Sequence, residues 1–262
     1  MNTSIIEPIV QLNRVFKRFE SGTLAISDVS LTADPGEFIS IVGPSGCGKS
    51  TILRLVAGLE TASSGNIQAP AITFPQSQGS TAFVFQEPTL MPWASVFDNI
   101  WLPLRLQGMG RREASSRISA VLKTVGLEDF SHAYSSQLSG GMKMRVSIAR
   151  ALITRPNVLL MDEPFAALDD FTRQQLNNDL LQWQTERSIA ILFVTHNIAE
   201  AVFLSHRVLV MSPRPGKIAL ELFIKAPYPR TTAFRNSNEF MHYCRELTEA
   251  LTPDMVTTRD ES

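Results

Sequence analysis

The chain lacks any surplus of basic charge: 24 Lys and Arg stand against 25 Asp and Glu, a formal net charge of −1 over 262 residues. No global positive field draws such a chain onto nucleic acid or an acidic bilayer, which argues against a role in DNA repair. Cysteine is scarce as well. Cys47 and Cys244 cannot make a disulfide framework, and nothing points to an oxidising compartment. The opening MNTSIIEPIV has no basic stretch followed by a long apolar one, so no signal peptide is expected. No run approaches the ~18–20 consecutive apolar residues that cross a bilayer. The longest, VLLM and IAILFV, have the length of strands. Internal repeats and low-complexity linkers are missing too. These absences leave a cytosolic chain whose dealings with a membrane run through a partner. Apolar residues at 44% and charged residues at 19% supply an ordinary globular core.

Four apolar runs read as strands buried on both faces: Phe38 to Val42, Ala82 to Phe85, Val158 to Met161 and Ile189 to Val194. Helical patterns at Met142 to Ile153 and Asp169 to Trp183 separate the later ones, which predicts an α/β fold with a mostly parallel sheet. The residues that follow the runs carry the chemistry. The first run leads into a glycine-rich loop, the second into Gln86, the third into Asp162 and Glu163, and the fourth into Thr195 and His196. Open α/β sheets bind ligands at the carboxyl ends of their strands, so these groups are expected at one site. Before Phe38, VQLNRVFKRF and TLAISDVSLTA read as an added N-terminal antiparallel β layer. From about Glu87 to Gln137 strand patterns fade and a mostly helical inserted lobe is expected. RVLVMS and KIALELFI read as two further strands joined by PRPG, and Thr232 to Leu251 reads as helical.

GPSGCGKST matches G-x-x-x-x-G-K-[ST] at Gly43, Gly48, Lys49 and Ser50. Glycines let the backbone wrap an anion so that its N–H groups point inward, and the following helix aims its positive end at the same place. The nucleotide-binding set is therefore Gly43, Pro44, Ser45, Gly46, Cys47, Gly48, Lys49, Ser50 and Thr51. Lys49 adds a point charge on β/γ oxygens, and the Ser50 hydroxyl suits Mg²⁺. Cys47 carries no chemistry of its own, but a bulky thiol reagent there is expected to block nucleotide binding. In LLMDEP, Asp162 is placed to hold Mg²⁺ as the partner of Ser50, and Glu163 to polarise the attacking water. His196 can hydrogen-bond a γ-phosphate, and Gln86 can touch Mg²⁺ or the water. His132, His206 and His242 are expected to be structural.

LSGGMKMRVSIARAL, Leu138 to Leu152, begins a helix with Ser139, Gly140 and Gly141, a second place where backbone N–H groups face an anion. Taken in order with FQEP, LLMDEP, ALDD and VTH, it resembles the signature of ABC ATPases, and the resemblance covers about residues 9–223. It implies a P-loop NTPase domain over 9–225 with a RecA-like core, a helical lobe at about 87–152, and a C-terminal helical tail at 226–262. It further implies ATP and Mg²⁺ as cofactors. It implies a homodimer in which Ser139, Gly140 and Gly141 of one subunit serve the γ-phosphate of the other, with Asp169 on the seam and Phe19 stacking on adenine. Met142 departs from the usual Gln of that signature, and is expected to pack under the helix. FQEPTLMPWASVFDNI, LSGGM and LVMSPRPGKI look like nitrate/sulfonate/taurine importer ATPases, and other stretches are similar to subunits for pyrimidine-precursor uptake. Two permease subunits and a periplasmic binding protein would then be partners, with the chain peripheral on the cytoplasmic face of the inner membrane. The apolar residues between Leu90 and Leu104 are either plain core or the groove for a permease helix. A non-transport ABC ATPase of DNA repair or translation is the alternative, and would call for coiled-coil insertions, tandem domains or basic patches. None is visible.

Overall fold

The computed structural model describes residues 7–73 and 81–252. Residues 74–80 of the irregular stretch before the second run, and 253–262 of the tail, lie outside them. The main sheet has six strands in the order β5-β6-β7-β3-β8-β9. These are β3 (Phe38–Val42), β5 (Thr81–Val84), β6 (Val158–Asp162), β7 (Ala190–Val194), β8 (Arg207–Met211) and β9 (Ile218–Phe223). β9 alone runs antiparallel, against β8. All five residues of β3, β7 and β8 are buried. Their side chains alternate between two cores. Phe38 and Val42 join Leu159, Met161, Ile191 and Phe193 on one face; Ile39 and Ile41 join Val158, Leu160, Leu192 and Val194 on the other. Period-two alternation between two covered faces is why these runs show no polar positions.

The second core is closed by β1 (Val10–Arg18), β2 (Leu24–Ala33) and β4 (Ser64–Gln68), an antiparallel sheet in the order β2-β1-β4. β4 is a third strand where the sequence led us to expect two. Its residues SGNIQ are nearly all exposed, so no hydrophobic pattern marks it, and its pairing with β1 holds it in place. Behind it comes the single turn α2 (Pro70–Thr73). Helix α1 (Lys49–Val56) buries Ile52, Leu53, Leu55 and Val56 against this core.

The first core extends into the inserted lobe, built from α3 (Val96–Leu106), α4 (Arg111–Thr124) and α5 (Gly140–Leu152). The apolar stretch before Gly108 is divided by burial: Val96, Phe97, Ile100 and Leu104 are core, whereas Trp93 is 78% and Leu106 79% exposed. Met142 is partly buried against the first core, as expected. Helix α6 (Asp170–Arg187) follows β6 and packs against α7 (Ile198–Leu204), which follows β7. The tail contains two helices rather than one, α8 (Thr232–Arg235) and α9 (Asn238–Leu251). Ser237 breaks the run by capping α9, its hydroxyl accepting from the Phe240 N–H at 3.1 Å. Phe240 and Leu247 then pack α9 against α7 and β8. No helix among the described residues is long and apolar enough to cross a membrane.

Candidate functional site

Gly43 to Gly48 leaves β3 as a loop that wraps the start of α1. The turn needs glycine most at Gly48: φ is 107°, and a Cβ there would come within 2.5 Å of Ile26 Cγ2. Lys49 is only 6% exposed, and its ammonium donates to the carbonyls of Gly43 at 2.8 Å and Pro44 at 2.9 Å. Two of its three donors therefore hold the loop, and the third remains for a phosphate oxygen. Pro44, Ser45 and Gly46 are exposed, and Ser50 and Thr51 are half-buried at the first turn of α1. Cys47 points the other way, into the second core, at 1% exposure. Burial raises its thiol pKa against the charge of Lys49.

Although β7 separates β3 from β6, α1 leans across, and the Ser50 hydroxyl donates to Asp162 Oδ1 at 2.9 Å. Burial pushes the Asp162 carboxyl above its ordinary pKa, opposed first by that hydrogen bond. Among the described residues it has no Lys or Arg within ion-pair distance. A half-buried carboxylate so weakly compensated, beside a hydroxyl, is an incomplete set of hard oxygen donors suited to Mg²⁺. No group of three or more His, Cys, Asp or Glu that could hold an ion by itself occurs among the described residues. Remaining ligands would have to be phosphate oxygens or water.

Glu163 turns away from the line of β6. Its φ is 47°, a left-handed conformation that costs on the order of 1–3 kcal/mol for a non-glycine residue. Its N–H donates to the Val194 carbonyl at 2.9 Å, which fastens the turn to β7. Its Oε2 is 3.2 Å from Nδ1 of His196, which is itself 63% exposed. In the tautomer with the proton on Nδ1, Glu163 accepts from His196 and Nε2 is left for another partner. Gln86 is exposed two residues past Val84, which pairs with Met161 next to Asp162. It makes no hydrogen bond to Ser50 or Asp162. Phe19 lies in the hairpin turn after β1, its N–H donating to the Thr23 carbonyl at 3.0 Å and the Lys17 ammonium 5.0 Å from its ring centroid.

Ser139 caps α5, its hydroxyl accepting from the Met142 N–H at 3.3 Å. Asp169 caps α6, accepting from the Thr172 N–H at 2.9 Å and the Thr172 hydroxyl at 2.7 Å. Those bonds hold its carboxyl below the usual range. The two helix starts touch: a Cβ on Gly141 would come within 2.6 Å of Thr172 Cγ2. Ser139, Gly140 and Asp169 are exposed.

Three arginines that the motifs did not single out tie these parts together. Arg214 donates from Nε and Nη2 to the Gly46 carbonyl at 3.0 and 2.8 Å. Arg150, near the end of α5, donates to the carbonyls of Pro88 and Thr89 and to the Thr89 hydroxyl. Arg173 holds the loop before α6 through the Leu168 carbonyl at 2.6 Å. Arg214 and Arg150 lie in the SPRPG and IARAL stretches, but nothing in those stretches points to their partners.

A family profile described as "ABC transporter" matches residues 26–166. The chain is 42% identical to the nitrate import ATP-binding protein NrtD of Synechocystis, over 93% of this chain and 94% of the relative. It is 39% identical to the aliphatic sulfonates import ATP-binding protein SsuB of Bacillus cereus, over 91% and 94%. Among solved structures, cbiO1 of Clostridium perfringens superposes with a TM-score of 0.77 at 27% identity, over 93% of this chain and 99% of that one. A bacterial ABC transporter cassette solved as a dimer superposes at 0.73 with 31% identity, over 83% and 100%; the same cassette was also solved after hydrolysis, bound to ADP and phosphate. The chain belongs to the ABC transporter family and is one of its ATP-binding, ATP-hydrolysing subunits.

Proposed function

We propose that this chain powers the uptake of a small solute, of the nitrate, sulfonate or pyrimidine-precursor kind, as one half of an ATPase pair on the cytoplasmic side of a membrane. The observation that carries the reading is the Ser50–Asp162 hydrogen bond, which joins the phosphate loop to the carboxylate strand across an intervening strand. Residues 9–225 form the ATPase unit in this reading, with the lobe at 87–152 and the tail beyond 226. Two permease subunits and a periplasmic binding protein are its partners.

Lys49 and the loop amides bind and orient the phosphates, and Phe19 takes the adenine. Ser50 and Asp162, with Gln86 alongside, would hold Mg²⁺, which when bound offsets charge on the β- and γ-oxygens. Glu163, with Oε2 already beside His196, accepts a proton from the attacking water. His196 Nε2 faces the γ-phosphate and responds to its loss. Ser139, Gly140 and Asp169 sit on the exposed edge, with Gly141 buried just beneath, and together they act on a nucleotide held by a second copy. Closure of the pair draws the lobes together, with Trp93 and Leu106 offering exposed apolar surface to a permease helix. Nothing in the fold favours the DNA-repair or translation alternative: the net charge is −1, and the relatives are importer subunits.

Mixing inactive variants tests the shared site. Lys49→Ala and Ser139→Arg chains are each expected to lose ATPase activity. Mixed, they form hybrids in which the intact loop of one meets the intact signature of the other, and activity returns. A mixture as inactive as its components overturns the shared site.

A further inference from the structure

Glu200, on the first turn of α7, is 4% exposed, and no motif assigns it a task. Its Oε2 accepts from the Thr195 hydroxyl at 2.6 Å, and Thr195 is itself 3% exposed. That same hydroxyl accepts from the Asn197 N–H at 3.0 Å, and the Asn197 side chain accepts from the Glu200 N–H at 3.2 Å. The turn bearing His196 is thus closed on both sides around one carboxylate. Its other oxygen, Oε1, lies 3.5 Å from Arg173 Nε. Arg173 in turn encloses the preceding loop: Nη2 donates to the Leu168 carbonyl at 2.6 Å, Nε to the Phe165 carbonyl at 3.4 Å, and Nη1 to Asp170 at 2.7 Å. Asp169 stands at the end of that loop, between Leu168 and Asp170, where α6 begins.

A buried carboxylate is costly, and removing one partner of such a pair leaves the other uncompensated. Burial pushes Glu200 above its ordinary pKa in spite of Thr195 and Arg173. An ionisable side chain placed where a neutral one would be easier to bury is better suited to linking two elements than to filling space.

We propose that Glu200 is a positioning residue for ATP hydrolysis: through Thr195 and Arg173 it holds the His196 turn and the Asp169 loop as one unit, so that the γ-phosphate contact and the seam contact move together. The proposal rests on the reading above that His196 and Asp169 serve hydrolysis. Glu200 touches no nucleotide, and its loss reaches the reaction only through those two loops.

The test is a set of full-length variants assayed for steady-state ATPase activity, equilibrium ATP binding and thermal melting. Glu200→Gln keeps the shape and can still accept from Thr195, but it sets an amide against Arg173. Its kcat should fall about tenfold, with KM and ATP Kd within about twofold. The double variant with Arg173→Met should be no slower than the slower single, since both cut one linkage. Thr195→Ser keeps the hydroxyl and should retain activity, whereas Thr195→Val should behave as Glu200→Gln. If Glu200→Gln melts early, the Thr195 pair decides. A kcat near that of the unaltered chain in Glu200→Gln and Thr195→Val, a fall in ATP affinity matching the fall in kcat, or additive losses in the double variant overturns the linkage. Full activity in Glu163→Gln and His196→Ala would instead remove the reading beneath it.

Discussion

Gly141 offers a sharp test of how the two exposed helix starts are built. Its backbone is ordinary helix, so alanine there adds no torsional strain. The added methyl would, however, lie 2.6 Å from Thr172 Cγ2, about 1 Å inside normal carbon contact. Overpacking of this kind costs about 1–3 kcal/mol, and replacing a helical glycine by alanine returns about 0.5–1 kcal/mol. The mid-values, about 2 against about 0.75 kcal/mol, leave a net loss of about 1.25 kcal/mol, a fall in Tm of about 2.5–5 °C for a chain of this size. Thr172→Ser should restore it. Serine removes the offending methyl while keeping the hydroxyl that donates to Asp169 Oδ2 at 2.7 Å, and the next atom, Cβ, is a comfortable 3.9 Å away. The assay is differential scanning fluorimetry on both single variants and the double, with ATPase turnover in parallel. An unshifted Tm in Gly141→Ala, or no recovery in the double variant, refutes the packing argument. If melting recovers while turnover stays low, the methyl itself obstructs the face offered to the partner's nucleotide.

Glu163→Gln should bind ATP, accumulate as a dimer and lose about 10²–10⁴-fold in turnover; near-normal turnover or a monomer at saturating ATP removes its assigned role. Cys47, at 1% exposure and with a raised pKa, should resist alkylation in the folded chain and react quickly in denaturant, read by mass spectrometry. Chain labelled there and refolded should no longer bind ATP. His206 accepts from the Phe38 N–H through Nδ1 at 2.9 Å, and burial, then the charge of Arg230, lowers its pKa below 6.5. Its neutral form therefore stabilises the fold fully above about pH 6.5, and that contribution is lost as pH falls through the lowered folded value. Tm should drop more steeply in acid for the unaltered chain than for His206→Asn, and equal slopes would exclude His206 as the cause.

The parts legible in sequence were those with local causes. β3, β6 and β7 announced themselves because both faces of the central sheet are covered, which leaves uninterrupted apolar runs ending in functional groups. The phosphate loop was legible because backbone wrapping demands glycines at set intervals. β4 was invisible because its residues are exposed and only β1 holds it. The tail looked like a single helix because Ser237 competes for the Phe240 N–H locally, while the apolar spacing runs straight through. The bonds of Arg214 to Gly46, Arg150 to Thr89 and Arg173 to Glu200 join residues far apart in the chain, and no periodicity records them. Cys47 was read as a loop residue open to reagents, but its side chain is turned into the core.

The burial of the site residues is itself an argument about what the chain does alone and what it does in a pair. Lys49 is buried and Asp162 and Glu163 are half-buried, and each is fixed by bonds within this chain, so the part that binds phosphate is preorganised. Ser139, Asp169 and His196 are exposed, and beside them Phe171 is 81% exposed. The amino ends of α5 and α6 meet there, so their partial positive charges add at a surface that this chain does not cover. Such a surface gains most from an anion brought by something else. A phosphate held on the buried half of a second copy is the anion that the same sequence supplies. The link from Arg173 through Glu200 to Thr195 makes that exposed surface mechanically continuous with the turn beside Glu163. On the proposed reading, a chain built this way binds ATP by itself, while contact at the seam completes the geometry of Glu163 and His196.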